Sequence, residues 1–134
     1  MSLTNGELFL RLIRNIKSIY KKELTNESFI YLYKSGDYWV AFEKSAYFLS
    51  LQLKELESKI SVLHMKEFPF PILFISLDDF AKQKLYRTGI SMSRNFGPYI
   101  KIKTADTNRA DDYYSWYQMN LKLYSVNGCW EQHA

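Results

Sequence analysis

Apolar and polar positions follow two periods along this chain, and the switches between them set out an order of elements. Leu8, Leu12, Ile13, Ile16, Ile19 and Tyr20 recur at helical spacing with Arg11, Arg14, Lys17 and Lys21 between them, which predicts an amphipathic helix over 7–22. Thr25-Asn26-Glu27 ends it. Two apolar, aromatic-rich runs, 29–34 and 37–42, are joined by Ser35-Gly36-Asp37. Gly36 can take a positive φ without a Cβ clash, so a tight β-hairpin is the least strained connection. Ala46, Leu49, Leu53 and Leu56 then mark one stripe of a helix over 43–57, and 60–65 is apolar enough for a strand.

Pro69 and Pro71 interrupt the pattern, because each fixes φ and removes an N–H donor. Residues 72–75 read as a short buried strand. Ser76-Leu77-Asp78-Asp79 resembles a capping box that opens a helix running to Thr88, with Gly89 as its C-terminal stop. Two strands, 90–93 and 99–103, flank a loop at 95–98, and a tyrosine-rich helix over 109–124 ends at Asn127-Gly128. Strands interleaved with helices predict one α/β (α+β) domain over 1–134. Its sheet is expected to be mixed, with an N-terminal hairpin and about four flanking helices.

Composition narrows the function classes. Apolar residues make up 47% of the 134 residues and aromatics 17%, including eleven Tyr and nine Phe, enough for a core with rings left over for boundaries and surfaces. The net charge is +4 and the sequence pI about 9.1. Residues 1–35 carry six Lys/Arg against three acids and 36–103 carry ten against seven, while 104–134 carry two against four. A mildly basic body is compatible with a phosphate backbone, and equally with plain solubility. One cysteine, Cys129, excludes an internal disulfide framework and fits a reducing, cytoplasmic setting. No apolar run is long enough for a membrane span, so no membrane partner is expected.

Catalytic and metal chemistry is not nominated. The two histidines and one cysteine are far from any co-ligand set; His64 lies in an apolar run and reads as a packed histidine. No P-loop and no G-x-G-x-x-G is present. Asp78-Asp79 is explained by a helix start, and Cys129 with His133 is a weak pair near the end of the chain. The expectation is a binding module with no cofactor and no metal, not an enzyme.

Two stretches, FIYLYKSGDYWVAFEKSAYFLSLQL at 29–53 and PFPILFISLDDFAKQKLYRTGISMS at 69–93, together resemble the N-terminal mismatch-recognition domain of the MutS DNA mismatch-repair family. That domain shows a strand, a Gly-Asp turn, an aromatic-rich strand and a helix, and later a Pro-x-Pro segment, a strand and a helix ending in Gly. The likeness is strongest over 29–94, with 104–134 read as a helical extension. In the family a Phe-x-Glu motif follows the turn: the ring stacks on a mispaired base from the minor groove, and the glutamate hydrogen-bonds it. On this chain the resemblance puts Tyr38 at the ring position and Val40 at the glutamate position, so the ring is kept and the carboxylate is lost. The stretch between Pro-x-Pro and the following helix is also shorter here.

The resemblance therefore implies a DNA partner, mismatched or distorted duplex, with Tyr38 stacking, Trp39 as neighbour or support, and Lys34, Lys44, Arg87, Arg94, Lys101 and Lys103 as phosphate contacts. The clamp, lever and ATPase regions of a full MutS protein fall outside these residues, so ATP-driven signalling is not expected from this chain alone. A second expectation is a protein-interaction domain that keeps the fold without reading DNA, its partner meeting Tyr113, Tyr114, Trp116, Tyr117 and Tyr124 of the last helix.

Overall fold

The computed structural model describes residues 3–88, 92–104 and 112–126. Six strands form one sheet in the order β3-β4-β2-β1-β6-β5: β1 is Phe29–Ser35, β2 Tyr38–Phe42, β3 Ile60–Leu63, β4 Ile72–Leu77, β5 Met92–Asn95 and β6 Tyr99–Lys103. Five α-helices accompany it: α1 Asn5–Ile13, α2 Ile16–Leu24, α3 Glu43–Gln52, α4 Asp79–Tyr86 and α5 Tyr113–Val126, with a 3-10 segment at Lys54–Lys59. The α+β class expected from the pattern is therefore present. All five strand pairings are antiparallel, where a mixed sheet had been expected. The connections are the reason, since each pair of neighbours runs in opposite directions whether joined by a hairpin or across a longer excursion.

The helix expected over 7–22 is two helices broken at Arg14–Asn15. Ile13, Ile16 and Ile19 are spaced by three, and at 100° per residue Ile19 would sit about 120° around a straight helix from Ile13. The break lets all three be buried against the same sheet face. Thr4 caps α1, accepting from Glu7 N while donating its own N–H to the Glu7 carboxylate at 3.0 Å.

β4 runs two residues further than expected because Leu77 pairs with Trp39. Ser76 thus lies in a strand, and the cap of α4 is Asp78, whose carboxylate accepts from Ala81 N at 2.9 Å. Of the strands expected over 60–65 and 90–93, the first stops at Leu63 and the second is found at Met92–Asn95. Gly89, Asn127-Gly128, Cys129 and His133 lie outside the described residues.

Two cores result, one on each sheet face. Ile30, Leu32, Trp39, Ala41, Ile75 and Leu77 point toward α3, α4 and α5, with Phe48, Leu49, Leu85 and Trp116 above them. Tyr31, Tyr33, Val40, Phe42 and Ile72 point toward α1 and α2. The helix layer on this second face is narrower than the sheet, and its shortfall lies over β6 and β5.

Candidate nucleic-acid interface

The turn that opens the site is a two-residue loop, with Ser35 and Tyr38 as cross-strand partners and Gly36 at φ +64°. A Cβ at Gly36 would also run into the Asn5 side chain, whose carbonyl oxygen accepts from Asp37 N at 3.1 Å. Glycine is therefore required twice, by backbone sign and by close approach. Immediately after the turn Tyr38 is 42% exposed. Trp39, one residue on, faces the opposite side and is buried, its indole N–H donating to Asp79 at 3.3 Å and Lys82 lying over its ring. Trp39 is thus a support beneath the hairpin and offers no ring to a partner.

Val40, which the resemblance pairs with a glutamate, is a core position. Val40 is 1% exposed and packs with Ile13, Ile16 and Ile19 of the N-terminal helices. These helices lie outside the stretch that carries the resemblance.

The six strands contain four charged residues, Lys34, Arg94, Lys101 and Lys103, and all are basic. Register places three of them on the face left open by α1 and α2: Arg94 is the cross-strand partner of Lys101, and Lys101 that of Tyr31. Like charges directly opposite each other destabilise a sheet. Between them runs a strip of rings. Phe96 stacks on Tyr99 at 5.1 Å, and Tyr99 meets Tyr33 and Tyr31 at 5.6 and 5.9 Å. Phe29 lies 6.3 Å from Tyr31. Cations roof the strip: Lys22 Nζ stands 3.9 Å from the Tyr99 centroid, Lys101 Nζ 4.1 Å from that of Phe29, and the Arg94 guanidinium 5.1 Å from that of Phe96. The band follows five residues of β6, about 15 Å at the strand rise.

The other expected contacts are dispersed. Lys34 faces the opposite side, with its ammonium 4.9 Å from the Trp39 ring. Lys44 donates to Leu24 O at the far end of β2 from the turn, and Arg87 closes α4. Lys22 and Phe96 were missed from the sequence; Lys22 sits in the polar stripe of its helix, and only the fold sets it over three rings.

Two buried carboxylates were also missed. Glu23 accepts from Ser45 N at 2.8 Å, from the Ser45 hydroxyl at 2.6 Å and from the Asn26 amide at 3.2 Å. It caps α3 from another helix, because β2 runs straight into α3 and leaves apolar Phe42 at the capping position. Burial pushes the Glu23 carboxyl up to about 7. Glu43 makes the turn from strand to helix at φ +51°, a strained value for a residue with a Cβ. Its carboxylate accepts from Leu73 N at 2.9 Å, replacing the backbone acceptor where the chain leaves the sheet, and burial raises it also to about 7. Glu23 stands four residues after Ile19 on the buried stripe of α2, and that spacing was the available clue.

No family model, no curated protein and no solved structure matches the chain. Among the described residues no three His, Cys, Asp or Glu side chains converge as a metal set, and no helix is long and apolar enough to cross a membrane.

Proposed function

We propose that this chain is a DNA-binding module. Phosphates lie along Arg94, Lys101, Lys103 and Lys22, and bases meet Phe96, Tyr99 and, at the hairpin exit, Tyr38. The observation that carries this reading is the all-basic sheet, above all Arg94 set directly across from Lys101 with no carboxylate on their strands. An anion between the two relieves a repulsion that the fold otherwise retains. The exposure of Tyr38 supports the stacking wedge that the resemblance to the MutS recognition domain implies. With Val40 in the core, base discrimination by a carboxylate has no place in this mechanism. Binding is therefore dominated by charge and stacking, with weak preference between matched and mismatched sites.

Fluorescence anisotropy with matched, mismatched and single-stranded DNA tests it. Affinity falls steeply with salt, and Arg94→Gln lowers the slope of log K against log salt by about 1. Absence of binding to all three at low salt refutes the proposal.

A second reading rests on α5. Trp116 is buried and Tyr113 and Tyr117 pack against the core, whereas Tyr114, Met119 and Leu123 are exposed along the helix. That exposed side is where a protein partner of the kind first expected would dock; the side chain of Tyr124 lies outside the described residues.

A further inference from the structure

The break between α1 and α2 opens a groove of about 480 Å³ against β1 and the start of β6. One wall is apolar, formed by Leu8, Leu12 and Ile19, and the floor is Tyr33 and Tyr99. Arg11 and Lys22 supply positive charge, and Asn15 and Ser18 supply neutral donors from the break itself. Lys34 reaches one end, with its ammonium turned toward Trp39. Among the described residues no carboxylate lines the groove. The three acids next to lining residues in sequence are engaged elsewhere, Glu7 in the Thr4 cap, Asp37 with the Asn5 amide at 3.3 Å, and the buried Glu23 with Ser45 and Asn26.

Tyr33 adds an independent sign of a ligand. It is 5% exposed, lines this groove, and its hydroxyl is buried without a hydrogen-bond partner among the described residues. A buried hydroxyl is almost always satisfied, and this one belongs to a residue that lines the groove together with Arg11 and Lys22, the Lys22 ammonium standing 5.6 Å from its ring centroid. The volume exceeds what inorganic phosphate fills and falls in the range of small-ligand sites. The apolar wall and ring floor suit a planar organic group.

We infer that this groove binds a nucleoside phosphate, with the phosphate held by Arg11, Lys22 and the Tyr33 hydroxyl and the base against Leu8, Leu12 and Ile19. The ligand is a free mononucleotide or the phosphorylated end of a strand. The site depends on Arg11 and Tyr33, which the strand-face reading does not use.

Isothermal titration of the full chain with adenosine 5′-monophosphate, adenosine and inorganic phosphate tests the inference. The monophosphate binds saturably, and adenosine binds roughly tenfold more weakly for want of the charged contacts. Arg11→Gln weakens the monophosphate by roughly tenfold and Tyr33→Phe by several-fold, the latter keeping the ring and so the packing. Lys122→Gln, on exposed α5, leaves it unchanged. Competition by a 5′-phosphorylated oligothymidylate but not its 5′-hydroxyl form assigns the strand end as the source, and equal weak competition by both assigns the free nucleotide. Absence of saturable binding, or binding indifferent to both Arg11→Gln and Tyr33→Phe, overturns the inference. Loss of this site in a protein that still binds DNA leaves the strand-face reading standing, and the converse holds.

Discussion

Replacing Glu23 by glutamine removes a buried charge while leaving an oxygen for Ser45 N and an amide for the Ser45 hydroxyl. The folded-state carboxyl is raised from 4.5 to about 7 by burial, against which the three donated hydrogen bonds act only in part. In the unfolded chain the same group titrates near its ordinary value. Between those two pH values the folded protein therefore binds more protons than the unfolded one, and stability falls as pH rises. At 1.36 kcal/mol per unit, Glu23 withdraws about 3 kcal/mol between about pH 4.5 and about pH 7, and nothing further above that. Glu43, raised to about 7 by its own burial, acts in the same direction and window. Urea unfolding followed by tryptophan fluorescence at constant ionic strength, from about pH 5 to about pH 8, reads the effect directly. The parent protein is expected to be least stable at the alkaline end. Glu23→Gln has a flatter profile and gains up to about 3 kcal/mol over the parent near pH 8, with little difference near pH 5. A parent profile that is level or rises across this window, or a Glu23→Gln profile parallel to the parent's, refutes the reasoning. It would mean that the donors around Glu23 outweigh its burial and keep it ionised.

Tyr38→Ala should weaken DNA binding by about 1–3 kcal/mol, with only a small loss of thermal stability because the residue is 42% exposed; anisotropy and a melting curve on the same sample check both. Val40→Glu buries a charge among Ile13, Ile16 and Ile19, so a loss of about 3 kcal/mol or more is expected near neutral pH, measured by urea unfolding. Gly36→Ala should cost about 1–2 kcal/mol through its positive φ and the displaced Asn5, again read from unfolding midpoints. Glu43→Ala strands the buried Leu73 N–H and should cost about 1–3 kcal/mol, whereas Glu43→Gln keeps an acceptor and is milder.

Local rules made much of the framework legible. Gly36-Asp37 between two apolar runs specified the hairpin, since few turns connect strands so closely, and the strand expected over 99–103 is present at Tyr99–Lys103. Hydrophobic spacing placed helices near α1 and α3, and a capping pattern placed one near α4. Among the expected contacts, Tyr38 proved exposed and Arg94, Lys101 and Lys103 share one face, because a period of two carries side-chain direction with it.

Tertiary structure decided what periodicity cannot carry. Which way Tyr38 and Trp39 faced depended on which sheet side each helix layer covered, and the answer separated neighbours into one exposed ring and one buried support. Val40 became a core residue because α1 and α2, distant in sequence from the hairpin's second strand, fold over it. Lys22 came to lie on three rings, and Glu23 to cap a helix beginning twenty residues later, through contacts between segments that share no local pattern. Local spacing reports the face a residue occupies on its own element; what that face meets is set by long-range packing.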